Sequence, residues 1–532
     1  MEAEGVAAIV PAGAPAPPTA PGPVPYLPVS YLAANAALRP QAPAVIDPDR
    51  ELTFAALHAE VLATAAGLAA AGLSSGDRVG VHLPNCWEYV VLELAIPLAG
   101  GVVLPLPPSL AAHELTWALG AAGAARLIVP AGMPLPAELP PGCTALAAPT
   151  VCRPGPVPPG APVGPAADPD RVVEIAMTSG TTGLPKLASL TARLKQATFE
   201  GFVARLGIGP GDRVLVISPV THGLGGMCLF GLRVGAALLL ERRARFDPAH
   251  TLRWAERAQA THLVGVPTNV IRLLESPALA EVDLRGARVT AVAGSLMPPQ
   301  VARAWEARTG SAVCSFYGSM DAGQLAVGSP ADPPEKRWHT VGRPHDVCEM
   351  KIAAPDGRPL PAGEIGEVCM RGPTVQPRYW GETTGPLAPD GFAHMGDLGF
   401  LDPEGYLHLV GRVMDTIIRG GANINPSEVE AFLHRHPAVA EACVVGRPDP
   451  QLGERTVAFV VLRPDARLEL AELRGWLEDA GLARYKWPEA VRSLAALPLK
   501  GPGKVDRARL RQLAAAGDPS GTHGGDDDAD RC

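Results

Sequence analysis

Met177-Thr-Ser-Gly-Thr-Thr-Gly-Leu-Pro-Lys186 follows directly on the apolar run Val172-Val-Glu-Ile-Ala176. The stretch carries four hydroxyl side chains and two glycines, and it ends on a lysine. Glycines let backbone N–H groups turn inward around an anion, hydroxyls add donors without bulk, and the lysine brings a full charge to a polyanion. A Ser/Thr/Gly surface turn is the plainer alternative, but turns seldom pair this donor density with a preceding buried strand. The nucleotide loop of the GxxxxGK[ST] type does not fit, because Gly180 and Gly183 lie too close together and Lys186 follows a proline. Thr178, Ser179, Gly180, Thr181, Thr182 and Gly183 are therefore candidate phosphate ligands of another kind, with Lys186 as their cation.

Around this loop the chain alternates helix with strand. Apolar residues recur at helical spacing from Leu52 to Gly72, then Ser74-Ser-Gly-Asp77 turns the chain into the strand pattern Arg78-Val-Gly-Val-His-Leu83. Helices over Tyr89 to Leu98 and Ala111 to Ala122 precede strands at Gly101-Val-Val-Leu-Pro105 and Ala125-Arg-Leu-Ile-Val129. Further strands are expected at Asp212 to Ile217, Thr261 to Val266 and Arg288 to Val292, which is the rhythm of an α/β sheet. The Pro/Gly-rich span 130–170 reads as a wandering surface connection. Near residue 345 the pattern shifts to short alternating runs with tight turns, such as Cys348 to Ile352 and Gly366 to Met370, which predict antiparallel hairpins. Beyond Arg412 a helix is expected from Pro426 to His434, strands at Glu441 to Val445 and Val457 to Leu462, and a helix from Leu468 to Ala480.

With 532 residues, 47% of them hydrophobic, the chain can bury a large core in more than one domain. A net charge of −8 argues against a general nucleic-acid or anionic-membrane binder, whose footprint would be basic. Nine cysteines without CxxC spacing indicate neither a disulfide framework nor a zinc site and suit a reducing cytoplasm. Residues 1–25 lack lysine and arginine and read as a Pro/Ala-rich disordered leader, and 518–532 read as a disordered tail. Val90 to Pro108 is too interrupted by Glu93 and prolines to span a membrane.

The loop at 177–186 resembles the signature of the acyl-adenylating enzymes, which include acyl-CoA synthetases, aryl acid-AMP ligases, peptide-synthetase adenylation domains and beetle luciferases. Further matches follow in that family's order: Tyr317-Gly-Ser-Met-Asp321, Met395-Gly-Asp-Leu-Gly399, Gly405 to Arg412, Gly420 to Glu430 and Gly501-Pro-Gly-Lys-Val-Asp-Arg507. The resemblance spans roughly residues 25 to 512. It implies a large N-terminal domain, 26–412, of two α/β sheet subdomains plus a small antiparallel β subdomain. A small, mobile α+β C-terminal domain, 413–517, would rotate between two half-reactions.

The same resemblance assigns roles. Lys504 matches the lysine that touches the substrate carboxylate and the α-phosphate of ATP. Asp397 matches the carboxylate that accepts both ribose hydroxyls, and Arg412 the arginine that reaches ribose or phosphate. Tyr317 would stack on adenine, Gly318, Ser319 and Met320 would line the nucleotide, and Asp321 would stand near Mg²⁺. Two positions depart from the family. Met320 replaces a hydroxyl that normally bonds the α-phosphate, and Asp321 is a methylene shorter than the usual glutamate. Met414 stands where an Asp or Lys usually serves as the hinge, with Asp415 as its neighbour. Gly420 and Gly421 match a loop lining a pantetheine tunnel, where a side chain would block approach.

His222 matches a gate at the acyl pocket, although a structural histidine fits equally. No acidic residue lies between Val214 and Leu240 to hold a substrate ammonium, which disfavours an α-amino acid. Val266-Pro-Thr268 and Ala293-Gly-Ser295 are expected pocket walls, with Gly294 and Ser295 small enough for flat contact with a ring or adenine. The expected reaction is activation of a small acid, aryl or related, by ATP, then transfer to CoA or to the phosphopantetheine of an acyl carrier protein. The surrounding sequence is most similar to ligases of aromatic and alicyclic acids. An amine acceptor, nitrite-dependent diazotisation and a non-catalytic nucleotide-binding protein are the alternatives, and a homodimer is admitted as an assembly.

Overall fold

Strands buried on both faces read as unbroken apolar runs, and the chain places six of them in one parallel block. The computed structural model describes residues 28–133, 139–152, 168–177, 186–243, 245–320, 322–376, 378–419, 422–499 and 505–516. The parallel block lies within a nine-stranded sheet: Ala312–Ser319, Val289–Val292, His262–Gly265, Arg213–Val216, Ala237–Leu239 and Pro43–Asp47 run side by side. Antiparallel strands close its edges, Gly323–Val327 and Arg343–Pro344 on one side and Arg50–Thr53 on the other. The hairpin Pro43–Asp47/Arg50–Thr53 was not foreseen, and it shortens the expected helix at its start. Leu52 pairs in the sheet, and the Thr53 hydroxyl caps the helix Phe54–Ala70 by accepting from Ala56 N at 3.2 Å.

A second sheet has six strands in the order Thr144–Ala147, Ala124–Val129, Arg78–Val81, Val102–Pro105, Val172–Met177, Leu187–Thr191. Only the last pair is antiparallel. Here the expectation for 130–170 is corrected: Thr144–Ala147 extends the sheet beside Ala124–Val129, and a helical turn, Ala148–Val151, follows. Its small residues gave no strand signal, because its pairing with one neighbour rather than its own hydrophobicity fixes it. Residues 134–138 and 153–167 of that span lie outside the described residues, as do the leader 1–25 and the tail 518–532.

The hairpins expected after residue 345 form a four-stranded antiparallel sheet of Glu349–Ala353, Gly366–Arg371, Ala393–Leu401 and Leu407–Arg412. The C-terminal part is α+β. Val439–Asp449 and Gly453–Leu462 form a hairpin longer than the sequence suggested, joined by Ile417–Arg419, Ala422–Ile424 and Ala490–Ser493. One face of this sheet packs Val444 and Val460 against Leu433, Leu473 and Leu477, and the other packs Val457 and Phe459 against Leu510 and Ala514. Alternating inward positions on both faces explain why its two long strands read as strong apolar runs. Among the described residues, no helix is long and apolar enough to cross a membrane.

A buried charge cluster includes Glu174 of Val172–Met177. Lys195, on the helix Ala192–Leu206, donates to Glu93 at 2.7 Å and to Glu174, and the Tyr89 hydroxyl approaches Glu93 at 3.5 Å. Burial pushes the Glu93 carboxyl up to about 7 against the pull of Lys195, with Glu174 adding to the rise. Removing the ammonium strands two carboxylates in the core, so Lys195→Ala should cost about 3 to 5 kcal/mol of stability, read from urea unfolding midpoints. A folded-state pKa above the unfolded value of about 4.3 means that the Glu93 contribution is present in acid and fades as pH rises towards neutrality. Glu93→Gln should therefore flatten that part of the stability profile while costing no more than about 1.5 kcal/mol.

Candidate functional site

In an open α/β sheet the loops beyond the carboxyl ends of parallel strands converge on one edge, where ligands bind. Four of the sequence-derived segments lie there. Arg213–Val216, His262–Gly265, Val289–Val292 and Ala312–Ser319 are consecutive neighbours in the nine-stranded sheet. They lead respectively to His222, to Val266 and Thr268, to Gly294 and Ser295, and to Tyr317 through Met320. Gly294 has φ +91°, a conformation that admits the turn out of its strand without strain, and Ser295 beside it is exposed.

His222 sits half-buried at the start of the short helix Gly223–Cys228. Its loop is held from the other sheet. Asn85 donates to the carbonyls of Val216 and Ser218, both at 3.0 Å, and accepts from Val220 N at 2.8 Å. That buried amide uses donors and acceptor on one loop, so it fixes the path of residues 216–220 as a turn template would. Gly225 permits the tight return, since a Cβ there would come within 2.1 Å of the Pro219 carbonyl oxygen.

Tyr317 is buried, and its hydroxyl donates to Asp397 Oδ2 at 2.5 Å. Burial, and then the Asp397 charge, push the phenol well above its usual range, so it stays a neutral donor. Asp397 Oδ1 accepts from Arg412 Nε at 3.0 Å. The pair faces across the hairpin, Asp397 and Arg412 being register partners on Ala393–Leu401 and Leu407–Arg412. A phenol from the nine-stranded sheet and a guanidinium from the four-stranded sheet thus share one carboxylate. Each oxygen still has a lone pair to offer, so the arrangement can accept a pair of hydroxyls.

Met320 does not point into empty space. It packs against Ala176, Ala188, Leu190 and Leu194, on the strands and helix flanking the loop at 178–185, and its sulfur would lie 2.7 Å from a Cβ placed at Gly223. The thioether therefore bridges the base of that loop and the turn that carries His222. Gly318 is exposed, and the Ser319 hydroxyl accepts from Ala322 N at 3.1 Å. Lys186 lies with its ammonium 4.3 Å from the centre of the Tyr379 ring. Tyr379 was not anticipated. It is brought there because Ala188 and Tyr379 form a β-bridge and Gln376 Oε1 accepts from Ser189 N at 2.9 Å, pairings that no local pattern announces.

Thr178, Ser179, Gly180, Thr181, Thr182, Gly183, Asp321, Gly420, Gly421 and Lys504 lie outside the described residues. Around the expected hinge the geometry is explicit. Arg511 Nη2 donates to the Met414 carbonyl at 3.2 Å and to Asp415 Oδ1 at 2.7 Å, and Arg507 stands 3.5 Å from Asp415 Oδ2. Asp415 is thereby tied to the C-terminal helix Arg507–Ala515, whereas the Met414 side chain is exposed.

Comparison with known proteins accords with this geometry. The AMP-binding enzyme family matches residues 32–380, and its C-terminal domain matches residues 428–504. The sulfoacetate–CoA ligase of Cupriavidus necator is 35% identical over 90% of this chain and 96% of its own length. A feruloyl-CoA synthase from an Amycolatopsis species is 34% identical over 91% and 98%. The ATP-bound MatB of Rhodopseudomonas palustris superposes with a TM-score of 0.82 at 28% identity, covering 92% of this chain and 99% of that one. With its sheets, its site edge and both family segments in the same order, the chain belongs to the family of AMP-binding enzymes.

Proposed function

We propose that this enzyme activates a small carboxylic acid, aryl or related, as an acyl-adenylate and passes the acyl group to CoA. The observation that carries the reading is the meeting of Tyr317, Asp397 and Arg412 beside the carboxyl edge of four parallel strands. The AMP-binding family match and the CoA ligases among its relatives support the two-step reaction. In the first step a carboxylate oxygen bonds to the α-phosphorus of ATP while the bond to the bridging oxygen breaks and pyrophosphate leaves. In the second, the CoA sulfur bonds to the acyl carbon, its proton is lost and AMP departs.

The residues divide this work by charge. The loop from Thr178 to Gly183, with Lys186, holds phosphate oxygens; Asp397 takes the ribose hydroxyls, and Arg412, being exposed, can turn to ribose or phosphate. Tyr317 offers its ring to adenine while its hydroxyl stays on Asp397, with Gly294, Ser295, Gly318 and Ser319 lining the same edge. Mg²⁺ is assigned to Asp321, a hard oxygen ligand suited to that ion, where it would neutralise phosphate charge. Lys504 joins the substrate carboxylate to the α-phosphate. His222 borders the acid, and the lack of an acidic partner between Val214 and Leu240 favours acids without an ammonium group.

We place the division between an adenylating part, 26–412, and a mobile part, 413–517, at the turn Val413–Asp415. The anchoring of Asp415 by Arg511 and Arg507 supports a pivot on its N-terminal side, at Met414. The proposal extends to a carrier-protein thiol as an alternative to CoA, to a homodimer and to a reducing cytoplasm, the last on the unpaired spacing of the cysteines. Pyrophosphate release across a panel of carboxylic acids tests the activity, and mass spectrometry of products formed with CoA, a holo-carrier protein or amines identifies the acceptor. Amide products in place of thioesters would overturn the assignment to CoA.

Lys504→Ala removes a donor aimed at developing charge, so adenylate formation should slow by at least about a hundredfold, and unchanged pyrophosphate exchange would remove Lys504 from the site. Asp397→Asn keeps the shape but loses a charged acceptor. It should raise the KM for ATP by about tenfold to a hundredfold, with the KM for the acid nearly unchanged, in steady-state pyrophosphate assays.

A further inference from the structure

Apart from the adenylating site, the four-stranded sheet gathers a second set of chemically active side chains. Cys369 and His394 are register partners on neighbouring antiparallel strands, and Glu367 lies two residues before Cys369 across an irregularity in the pairing. Their ligating atoms all lie within 4.8 Å of one another. Cys369 Sγ is 3.6 Å from His394 Nδ1, and the same nitrogen is 2.8 Å from Glu367 Oε2. The other ring nitrogen, Nε2, is 3.2 Å from Asp390 Oδ2.

We propose that Glu367, Cys369 and His394 bind a divalent transition ion of borderline softness, with Zn²⁺ as the reference ion. The donor set is a thiolate, an imidazole and a carboxylate, the three classes that Zn²⁺ takes. Bonds of about 2.3 Å to sulfur and about 2.0 Å to nitrogen at a tetrahedral angle set the two atoms about 3.6 Å apart. The Cys369–His394 separation already has that value, and the Glu367 oxygen needs to withdraw from Nδ1 by only about half an ångström. A lone Cys–His contact would say little, but this one has the surroundings of a ligand set.

Asp390 supplies the outer support. A metal-bound histidine donates its second ring N–H to a carboxylate, which fixes the tautomer and the ring plane. Asp390 Oδ2 is placed to accept from His394 Nε2 in this way, and Lys351 Nζ at 2.9 Å and Phe392 N at 3.0 Å donate to Asp390 and hold it in place. Below, Cys369 packs with Ala353 and Phe392, an apolar floor that limits water on the sulfur side. Above, Glu367 and His394 are partly exposed, which gives an ion an entry path and room for a water as fourth ligand. A thiolate and a carboxylate balance the two charges of the ion.

Occupancy would also bear on the neighbouring site. Glu367 Oε1 accepts from Gly396 N at 3.0 Å, so the second oxygen of a ligating carboxylate would hold the residue that precedes Asp397. The ion would thereby pin the strand carrying His394 and Asp397 to Gly366–Arg371.

The test uses the full chain, stripped with a chelator and free of ATP, so its outcome does not depend on the adenylation reading. Titration with Zn²⁺ by calorimetry should show one equivalent bound per chain. Titration with Co²⁺ should produce thiolate-to-metal absorption. Cys369→Ser should abolish that absorption, and His394→Gln, a change at a partly exposed position that leaves the core intact, should weaken Zn²⁺ at least about tenfold. Asp390→Asn, which loses only the outer support, should weaken it about tenfold. Absence of stoichiometric binding in the parent chain, or equal affinity in a folded His394→Gln variant, overturns the proposal.

Discussion

The carboxylate of Asp397 is the point on which the proposed site depends, because residues of two sheets meet on it. Its two partners are not equivalent. Tyr317 is buried and its phenol is held neutral, so that hydrogen bond is strong and costly to leave unmade. Arg412 is more than half exposed, and an ion pair in that setting contributes at most about 1 kcal/mol. One side of Asp397 is therefore fixed and the other exchangeable. An exposed guanidinium can leave a carboxylate for another anion at little cost, whereas a buried phenol cannot leave without stranding its hydroxyl. The asymmetry around Asp397, a buried phenol on one oxygen and an exposed guanidinium on the other, follows from burial alone.

Met320 shows how the chain accommodates a departure from its family. A hydroxyl at that position would offer a hydrogen bond but would leave the space between Gly223 and the cluster of Ala176, Ala188, Leu190 and Leu194 unfilled. A thioether is flexible and fills irregular gaps, so it trades a polar contact for packing between that cluster and Gly223. Gly223 is part of the same exchange, since any side chain there would meet the sulfur.

What could be read from the sequence was whatever is local. Arg213–Val216, His262–Gly265 and Val289–Val292 are buried on both faces and announce themselves as apolar runs. Asp397 and Arg412 lie in two motifs joined by a short hairpin, so their meeting is encoded within a few residues. Three things were hidden. Thr144–Ala147 is a strand only because Ala124–Val129 lies beside it. Lys195 meets Glu93 across 102 positions, and Asn85 meets Val216, Ser218 and Val220 across more than 130, distances over which no periodicity carries information. Tyr379 reaches Lys186 only through a bridge to Ala188.

These hidden contacts share a chemistry. Lys195, Asn85 and Gln376 each use buried polar atoms to join segments far apart in the chain. Apolar packing would hold those segments together but would tolerate small slips, because dispersion contacts are non-directional. A buried amide or ammonium does not tolerate them, since a displaced partner leaves an unsatisfied group at a cost of about 1 to 3 kcal/mol. Such polar groups thus set the register of the segments they join to within a hydrogen bond's tolerance. The path of residues 216–220, which leads to His222, is set in this way by the directional bonds of Asn85.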